Sequence, residues 1–97
     1  MATYVVLINF TDQGIRTVKQ VPKRIKAGIA VAEKLGIKVK DAYWTVGAYD
    51  AVLVADAPTD EAITAFALGI GTQGNVRTQT LRAFSTDEMN NILAKVP

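Results

Sequence analysis

The sequence predicts an α+β domain of ferredoxin-like fold with the element order βαββαβ. Four apolar, β-prone runs are separated by two runs of helical period and by one short turn that contains Gly47. That turn joins the second and third runs into a β-hairpin. The 97 residues, 49% of them hydrophobic, suffice for one core. We therefore predict a single domain over residues 1–97, with an antiparallel sheet of order 4-1-3-2 and both main helices on one face.

The first half of the chain predicts a strand followed by an interrupted helix. The strand runs from Tyr4 to Phe10, and Thr11 is a helix cap. Apolar residues then recur at helical spacing until Gly36. Pro22 lies inside this stretch and removes a backbone donor. We expect a short first piece that ends near Gln20 and a longer second piece from about Pro22.

The second half predicts the hairpin, a second helix, a fourth strand and a short C-terminal helix. The strands are predicted at 37–46, 51–57 and 75–84, and the second helix from Pro58 to the glycine-rich segment 69–74. This segment has glycines spaced as in a dinucleotide-binding loop, but it precedes a strand, whereas that loop follows one. Ser85 and Glu88 have the spacing of a capping box, which begins the C-terminal helix.

The composition excludes several kinds of chemistry. The chain has no cysteine and no histidine, so thiol nucleophiles, thiolate metal sites and the usual general base are missing. We expect neither a metal nor a cofactor. The apolar segment from Tyr4 to Phe10 is too short to span a membrane, and no signal-peptide pattern precedes it. We expect a cytoplasmic protein without a membrane partner.

Positive charge is concentrated in one segment, although the net charge is only +2. Eight basic residues and one acidic residue lie between positions 16 and 40. Four of the basic residues, Arg16, Lys19, Lys23 and Lys26, are spaced by three and four residues, which is typical of the solvated stripe of an amphipathic helix. RNA-recognition domains of this fold carry aromatic residues in the middle of the third strand. The predicted third strand has none there, so no nucleic-acid partner is expected.

The central strands are apolar on both faces. In the first strand Val5 and Leu7 alternate with Val6 and Ile8, and the third strand contains Val52-Leu53-Val54-Ala55. Two helices can cover only one face of the sheet, so another copy of the chain is the simplest cover for the other. We expect a homo-oligomer, most simply a dimer that closes an α/β barrel, although higher symmetry would satisfy the same burial.

The predicted strand order gathers polar residues at the hairpin-tip edge of the domain. They combine carboxylate, amide, phenol and guanidinium groups, which suit a small polar or anionic ligand. Structural alternatives stay open: Asp50 and Arg77 can form an ion pair, Asn75 can be a left-handed turn residue after Gly74, and Thr11 can serve only as a cap. The candidate ligand-binding residues are Asn9, Asp12, Tyr49, Asp50, Asn75 and Arg77.

Several separated blocks of this sequence resemble one known family. The blocks are Thr11-Asp12-Gln13-Gly14-Ile15, Pro22-Lys23-Arg24, the segment 43–50 that ends in Gly47-Ala48-Tyr49-Asp50, and the segment 74–84. Together they are similar to the GYD-domain family of small prokaryotic proteins, over nearly the whole chain. The resemblance implies an α/β ferredoxin-like domain of uncharacterised function, and it brings no reaction or cofactor.

Three classes of function remain open. The first choice is a module that binds a small polar or anionic metabolite at the hairpin tip. The second is a cofactor-free enzyme of the dimeric α/β-barrel kind, an isomerase, decarboxylase or small oxygenase, with Tyr49 as donor, Asp50 as base and Arg77 as anion anchor. The third is a purely structural assembly protein in which these side chains close a subunit interface.

Overall fold

A computed structural model describes all residues, 1–97, and contains the predicted βαββαβ order followed by a C-terminal helix. The strands are β1 (Ala2–Phe10), β2 (Lys38–Trp44), β3 (Ala51–Ala57) and β4 (Val76–Ala83). The helices are α1 (Asp12–Arg16), α2 (Val21–Lys34), α3 (Asp60–Gly71) and α4 (Thr86–Leu93), with one 3-10 turn at Val18–Gln20.

The strands form one antiparallel sheet of order β2-β3-β1-β4, which confirms the predicted topology. β1 lies in the centre and pairs along its length with β3 and β4. The register places Val5 opposite Val54 and Leu81, so these three side chains share one face. A bulge at Lys40 in β2 shifts the register of the edge strand by one residue.

The first helical region differs in part from the prediction. Thr11 caps α1 as expected, because its hydroxyl accepts from the Gly14 N–H at 3.0 Å. The α-helix ends at Arg16, however, and a 3-10 turn occupies the stretch that was expected to be helical up to Gln20. Pro22 lies in the first turn of α2, where its missing N–H costs nothing.

The side chain of Arg24 holds the two helical pieces together. Its Nη1 donates to the Gly14 carbonyl at 3.1 Å and its Nη2 donates to the Thr17 carbonyl at 2.8 Å. These carbonyls lie at the end of α1, where the helix supplies no partner of its own. Arg24 therefore fixes the direction in which α2 leaves α1.

The hydrophobic core lies between the sheet and the two long helices. Its largest fully buried side chains are Val6 of β1 and Ile63 of α3. Burial of such a side chain contributes about 1.5–3 kcal/mol. Small residues of β3 let α3 approach the sheet, since Ala55 and Ala57 are fully buried. The core also contains Tyr4, Ala32, Ile37 and Phe66.

The opposite face of the sheet, here called the open face, is apolar in its middle. It carries Val5, Leu7, Val52, Val54 and Leu81, and none of them belongs to the buried core. Leu81 is 43% exposed. The two-sided apolar pattern of the central strands thus has the predicted geometric consequence, one face buried by helices and one not.

The C-terminal helix extends from the body of the domain. Its capping box is present as predicted, with Ser85 and Glu88 bonded to each other in both directions. Met89, Leu93 and Val96 recur along one side of the C-terminal segment and remain about half exposed. The radius of gyration is 14.7 Å, larger than the ~12.5 Å expected for a compact domain of this size. None of the helices has the length and hydrophobicity needed to cross a bilayer.

Candidate functional site

Asp50 lies at the end of the hairpin turn and connects the turn to β1. Its backbone N–H donates to the Ile8 carbonyl at 2.8 Å, and its carboxylate accepts from the Phe10 N–H, also at 2.8 Å. The Asp50 carboxylate thus gives the Phe10 N–H the acceptor that a backbone carbonyl would have given if β3 extended further along β1. The same turn is closed by the Thr45 N–H, which donates to the Asp50 carbonyl. Asp50 is therefore part of the scaffold.

The side chain of Tyr49 extends across the open face from the hairpin turn to β4. Its hydroxyl donates to Gln79 Oε1 at 3.0 Å. Gln79 is the β4 partner of Leu7, one of the apolar side chains of the open face. The phenol therefore lies over the polar end of that face rather than on the helix side. Gln79 was not among the predicted site residues, and the strand alternation with Arg77 is the signal that would have indicated it.

Asn9 and Arg77 are direct cross-strand partners at the same end of the open face. Arg77 is exposed and takes part in neither of the two salt bridges, Lys40–Asp56 and Arg82–Glu88. The alternative of an Asp50–Arg77 ion pair is therefore wrong. The physical reason is direction, because the Asp50 carboxylate bonds to the backbone of β1 whereas Arg77 lies on the open face.

Asn75 connects the start of β4 with the start of α1. Its side-chain oxygen accepts from Gln13 Nε2 at 3.0 Å, and its carbonyl accepts from the Thr11 N–H at 3.1 Å. A left-handed Asn75 is not observed, because Gly74 takes that conformation with φ +81. Thr11 is more than a helix cap, since its hydroxyl also donates to the Gly74 carbonyl.

The six predicted residues thus lie at one edge of the domain but on two sides of the sheet. Asn9, Tyr49 and Arg77 belong to the open face, and we call them the open-face triad. Asn75 lies on the helix side, and Asp12 is an exposed residue of the first turn of α1. The structure brings the open-face triad together and separates it from the other two, while Asp50 lies between the groups.

Sequence reasoning missed an apolar cavity on the helix side of the same edge. It has a volume of about 470 Å³ and lies between α2, α3 and the hairpin strands. Phe10 and Trp44 line it, with ring centroids 6.2 Å apart and planes inclined by 15°. Trp44 was expected on one face and Tyr43 on the other, and their β3 partners, Ala51 and Val52, bear this out.

At the opposite edge of the domain the polar contacts are structural. The Tyr4 hydroxyl donates to the Asp60 carboxylate at the start of α3. This hydrogen bond, together with burial, raises the pKa of Tyr4. The guanidinium of Arg82 lies 5.7 Å from the centroid of the Tyr4 ring and 4.4 Å from that of Phe84. These contacts join β4 and α3 to the core.

The element order and the strand order define a small ferredoxin-like α+β domain. The chain belongs to the GYD domain family, which it matches over residues 4–93. It is 32% identical, over 90 residues, to the glutamine synthetase and cystathionine beta-lyase binding protein of Thermus thermophilus. That match covers 92% of this chain and 95% of the relative.

Solved structures support the fold. The crystal structure of FFRP-DM1 matches with a TM-score of 0.60 at 21% identity, over 87% of this chain and 100% of that one. The leucine response regulatory protein LrpA of Mycobacterium tuberculosis matches with a TM-score of 0.57 at 21% identity, over 88% of this chain and 51% of that one. At this level of identity the similarity concerns the fold.

Proposed function

We propose that this protein is a non-catalytic binding module that associates with itself through the open face and binds an enzyme of amino-acid metabolism. The observation that carries the proposal is the open face itself, an apolar centre bordered by polar groups. Such a face is typical of a protein–protein contact surface.

The energetics of that face support the proposed self-association. Val5, Leu7, Val52 and Val54 lie together in the two central strands. Covering side chains of this size contributes about 1.5–3 kcal/mol each at full burial. This free energy favours an open face that is covered by a second sheet over one that is exposed to water. The resulting homo-oligomer, a dimeric α/β barrel in its simplest form, places the open-face triad at the rim of the contact.

A catalytic function is less well supported by the site. Asp50 was the candidate base, and its carboxylate is bonded to the Phe10 N–H. The Tyr49 hydroxyl donates to Gln79. A base that acts on a substrate needs an acceptor directed at the reacting proton, and the Phe10 N–H holds Oδ2 of Asp50 against the backbone of β1. This arrangement favours binding over an isomerase, decarboxylase or oxygenase reaction.

The enzyme partner is proposed from the relative, which is named for binding glutamine synthetase and cystathionine beta-lyase. We expect purified glutamine synthetase or cystathionine beta-lyase to bind the immobilised chain in biolayer interferometry. Arg77→Glu should weaken that binding, because Arg77 is the exposed cation of the triad. Lys26→Glu, an equal charge change on α2, is the matched control. Absence of binding to both enzymes would contradict the proposed partner class.

A small anionic metabolite is the second candidate, and the open-face triad favours it. Arg77 has no acidic partner, and Asn9 and Tyr49 add an amide and a phenol beside it. Calorimetric titration with small carboxylates, from acetate to glutamate, tests this candidate. Tyr49→Phe and Arg77→Gln should keep the fold and lose binding, whereas Arg16→Gln should change nothing. If Arg77→Gln instead splits the oligomer, the triad is an interface contact.

A further inference from the structure

The helix-side cavity has the size and lining of a ligand site that is separate from the open face. Its volume of about 470 Å³ falls within the range of about 300–1,000 Å³ that is usual for small-molecule sites. Hydrophobic residues make up 17 of its 23 lining residues, so most of any occupant must be apolar. Ile8 and Leu53 of the sheet and Phe66 and Ile70 of α3 form its apolar interior.

Two glycines that packing does not require line this cavity. Gly28 lies in the middle of α2, where an added Cβ atom would meet no atom within 4 Å. At Gly69 of α3 the nearest atom would be Val31 Cγ1 at 3.7 Å, an ordinary contact. At Gly14, in contrast, a Cβ would lie 1.9 Å from the Asn75 carbonyl oxygen. Since glycine disfavours a helix interior, Gly28 and Gly69 preserve space rather than relieve a clash.

The polar groups of the cavity lie at one end and are cationic or neutral. Lys23 and Arg24 are the charged lining residues, and Gln73 and Asn75 contribute amides. Arg24 donates to the Gly14 carbonyl, and the neighbouring Gln13 donates to the Gln73 carbonyl and to Asn75 Oδ1. These contacts place Arg24, Gln73 and Asn75 around α1, and Lys23 precedes Arg24 in the first turn of α2. Nε of Arg24 is buried and has no hydrogen-bond partner.

The other end of the cavity is apolar at the surface. Ile25 and Ile29 of α2 are 41% and 45% exposed, and Trp44 at the end of β2 is 56% exposed. All three line the cavity. The cavity is therefore bordered by apolar side chains where it meets solvent.

We propose that this cavity binds a monoanion with an apolar tail, a carboxylate that carries an alkyl chain or an aromatic ring. The tail lies between α2 and the sheet, and the carboxylate lies near Lys23 and the amides of Gln73 and Asn75. Charge complementarity decides the sign of the head group, because the lining has two cations and no carboxylate. The site is independent of the open face and of the enzyme partner.

Trp44, the single tryptophan of the chain, reports directly on the cavity. We expect octanoate to shift the Trp44 fluorescence in a saturable manner and acetate, which lacks the tail, to leave it unchanged. Octylamine carries the same chain with the opposite charge, and it should bind at least about tenfold more weakly. Equal affinities for octanoate and octylamine would overturn the assignment of an anion site.

Filling the cavity tests its location. Gly28→Leu places a side chain in the cavity and should weaken octanoate binding at least about tenfold, with cooperative melting retained. Gly71→Leu is the matched control, since a Cβ at Gly71 also meets nothing within 4 Å and Gly71 does not line the cavity. Unchanged binding in Gly28→Leu would overturn the proposal.

A second variant keeps the test decisive if Gly28→Leu fails to fold. Lys23→Glu changes an exposed side chain at the polar end, and it should weaken octanoate and strengthen octylamine. If Lys23→Glu affects neither compound, the ligand assignment is wrong. If octanoate changes the sedimentation of the protein but not the Trp44 fluorescence, the cavity is a contact surface for a second copy and the ligand assignment is wrong.

Discussion

The carboxylate of Asp50 accepts a hydrogen bond from the backbone N–H of Phe10 at 2.8 Å, 40 residues earlier in the chain. This contact joins the hairpin turn to the central strand at the edge where both candidate sites lie. Phe10 in turn stacks on Trp44. Asp50, which the sequence indicated as a ligand or a base, therefore positions Phe10 in the lining of the helix-side cavity.

Removal of that acceptor should destabilise the domain. Asp50→Ala leaves the half-buried Phe10 N–H without its partner, which we expect to lower the free energy of unfolding by about 1–3 kcal/mol. Asp50→Asn keeps an acceptor oxygen and should cost less. Urea denaturation of the three proteins measures the difference. Equal stability of the alanine variant and the parent would show that the contact is dispensable.

Gly14→Ala should be among the most destabilising single substitutions in the chain. The added Cβ would lie 1.9 Å from the Asn75 carbonyl oxygen, which also accepts from the Thr11 N–H. The backbone of α1 or of the segment before β4 must then move. Gly71→Ala, with open space around its Cβ, is expected to be neutral or to stabilise by about 0.4–1 kcal/mol. Thermal melting of both variants tests this contrast.

The start of α4 should be sensitive to acid. The Ser85 backbone N–H donates to the Glu88 carboxylate at 3.0 Å, which lowers the pKa of Glu88, and Arg82 acts in the same direction. Because the folded-state pKa is lowered, the stabilisation is present above the ordinary glutamate pKa of about 4.3 and is lost as pH falls through the lowered value.

Amide chemical shifts of residues 86–93, followed as a function of pH, measure the loss of helical structure in α4. Glu88→Gln keeps an acceptor for the Ser85 N–H but cannot titrate, so its α4 shifts should lose the acid transition. Asp87→Asn removes the neighbouring carboxylate and should keep the transition. The interpretation is wrong if the transition survives in Glu88→Gln.

The sequence predicted the topology well because strand alternation, helix caps and the hairpin turn are local signals. Ser85 and Glu88 even specified their reciprocal hydrogen bonds. The helical stretch that was expected to continue to Gln20 was the exception. The end of α1 depends on Arg24 of the following helix, which donates to the free Gly14 and Thr17 carbonyls.

The site was predictable only in part. The end of the sheet at which a residue lies and the direction of its side chain depend on different signals. Strand order brought Asn9, Tyr49 and Arg77 to one edge. The direction of the Asp50 carboxylate depends on a backbone N–H of a distant strand, and no sequence pattern encodes it. The cavity depends on the distance between α2 and the sheet, for which Gly28 is the one local signal.

Sedimentation velocity at micromolar concentration measures self-association through the open face, on which the proposed function depends. Leu81→Lys places a charge on the open face, and Leu68→Lys places the same charge on an exposed position of α3. The parent and Leu68→Lys should sediment at no less than twice the chain mass of 10.4 kDa, and Leu81→Lys, folded by circular dichroism, should shift toward the monomer. A monomeric parent, or a Leu81→Lys variant that associates as the parent does, would contradict assembly through this face.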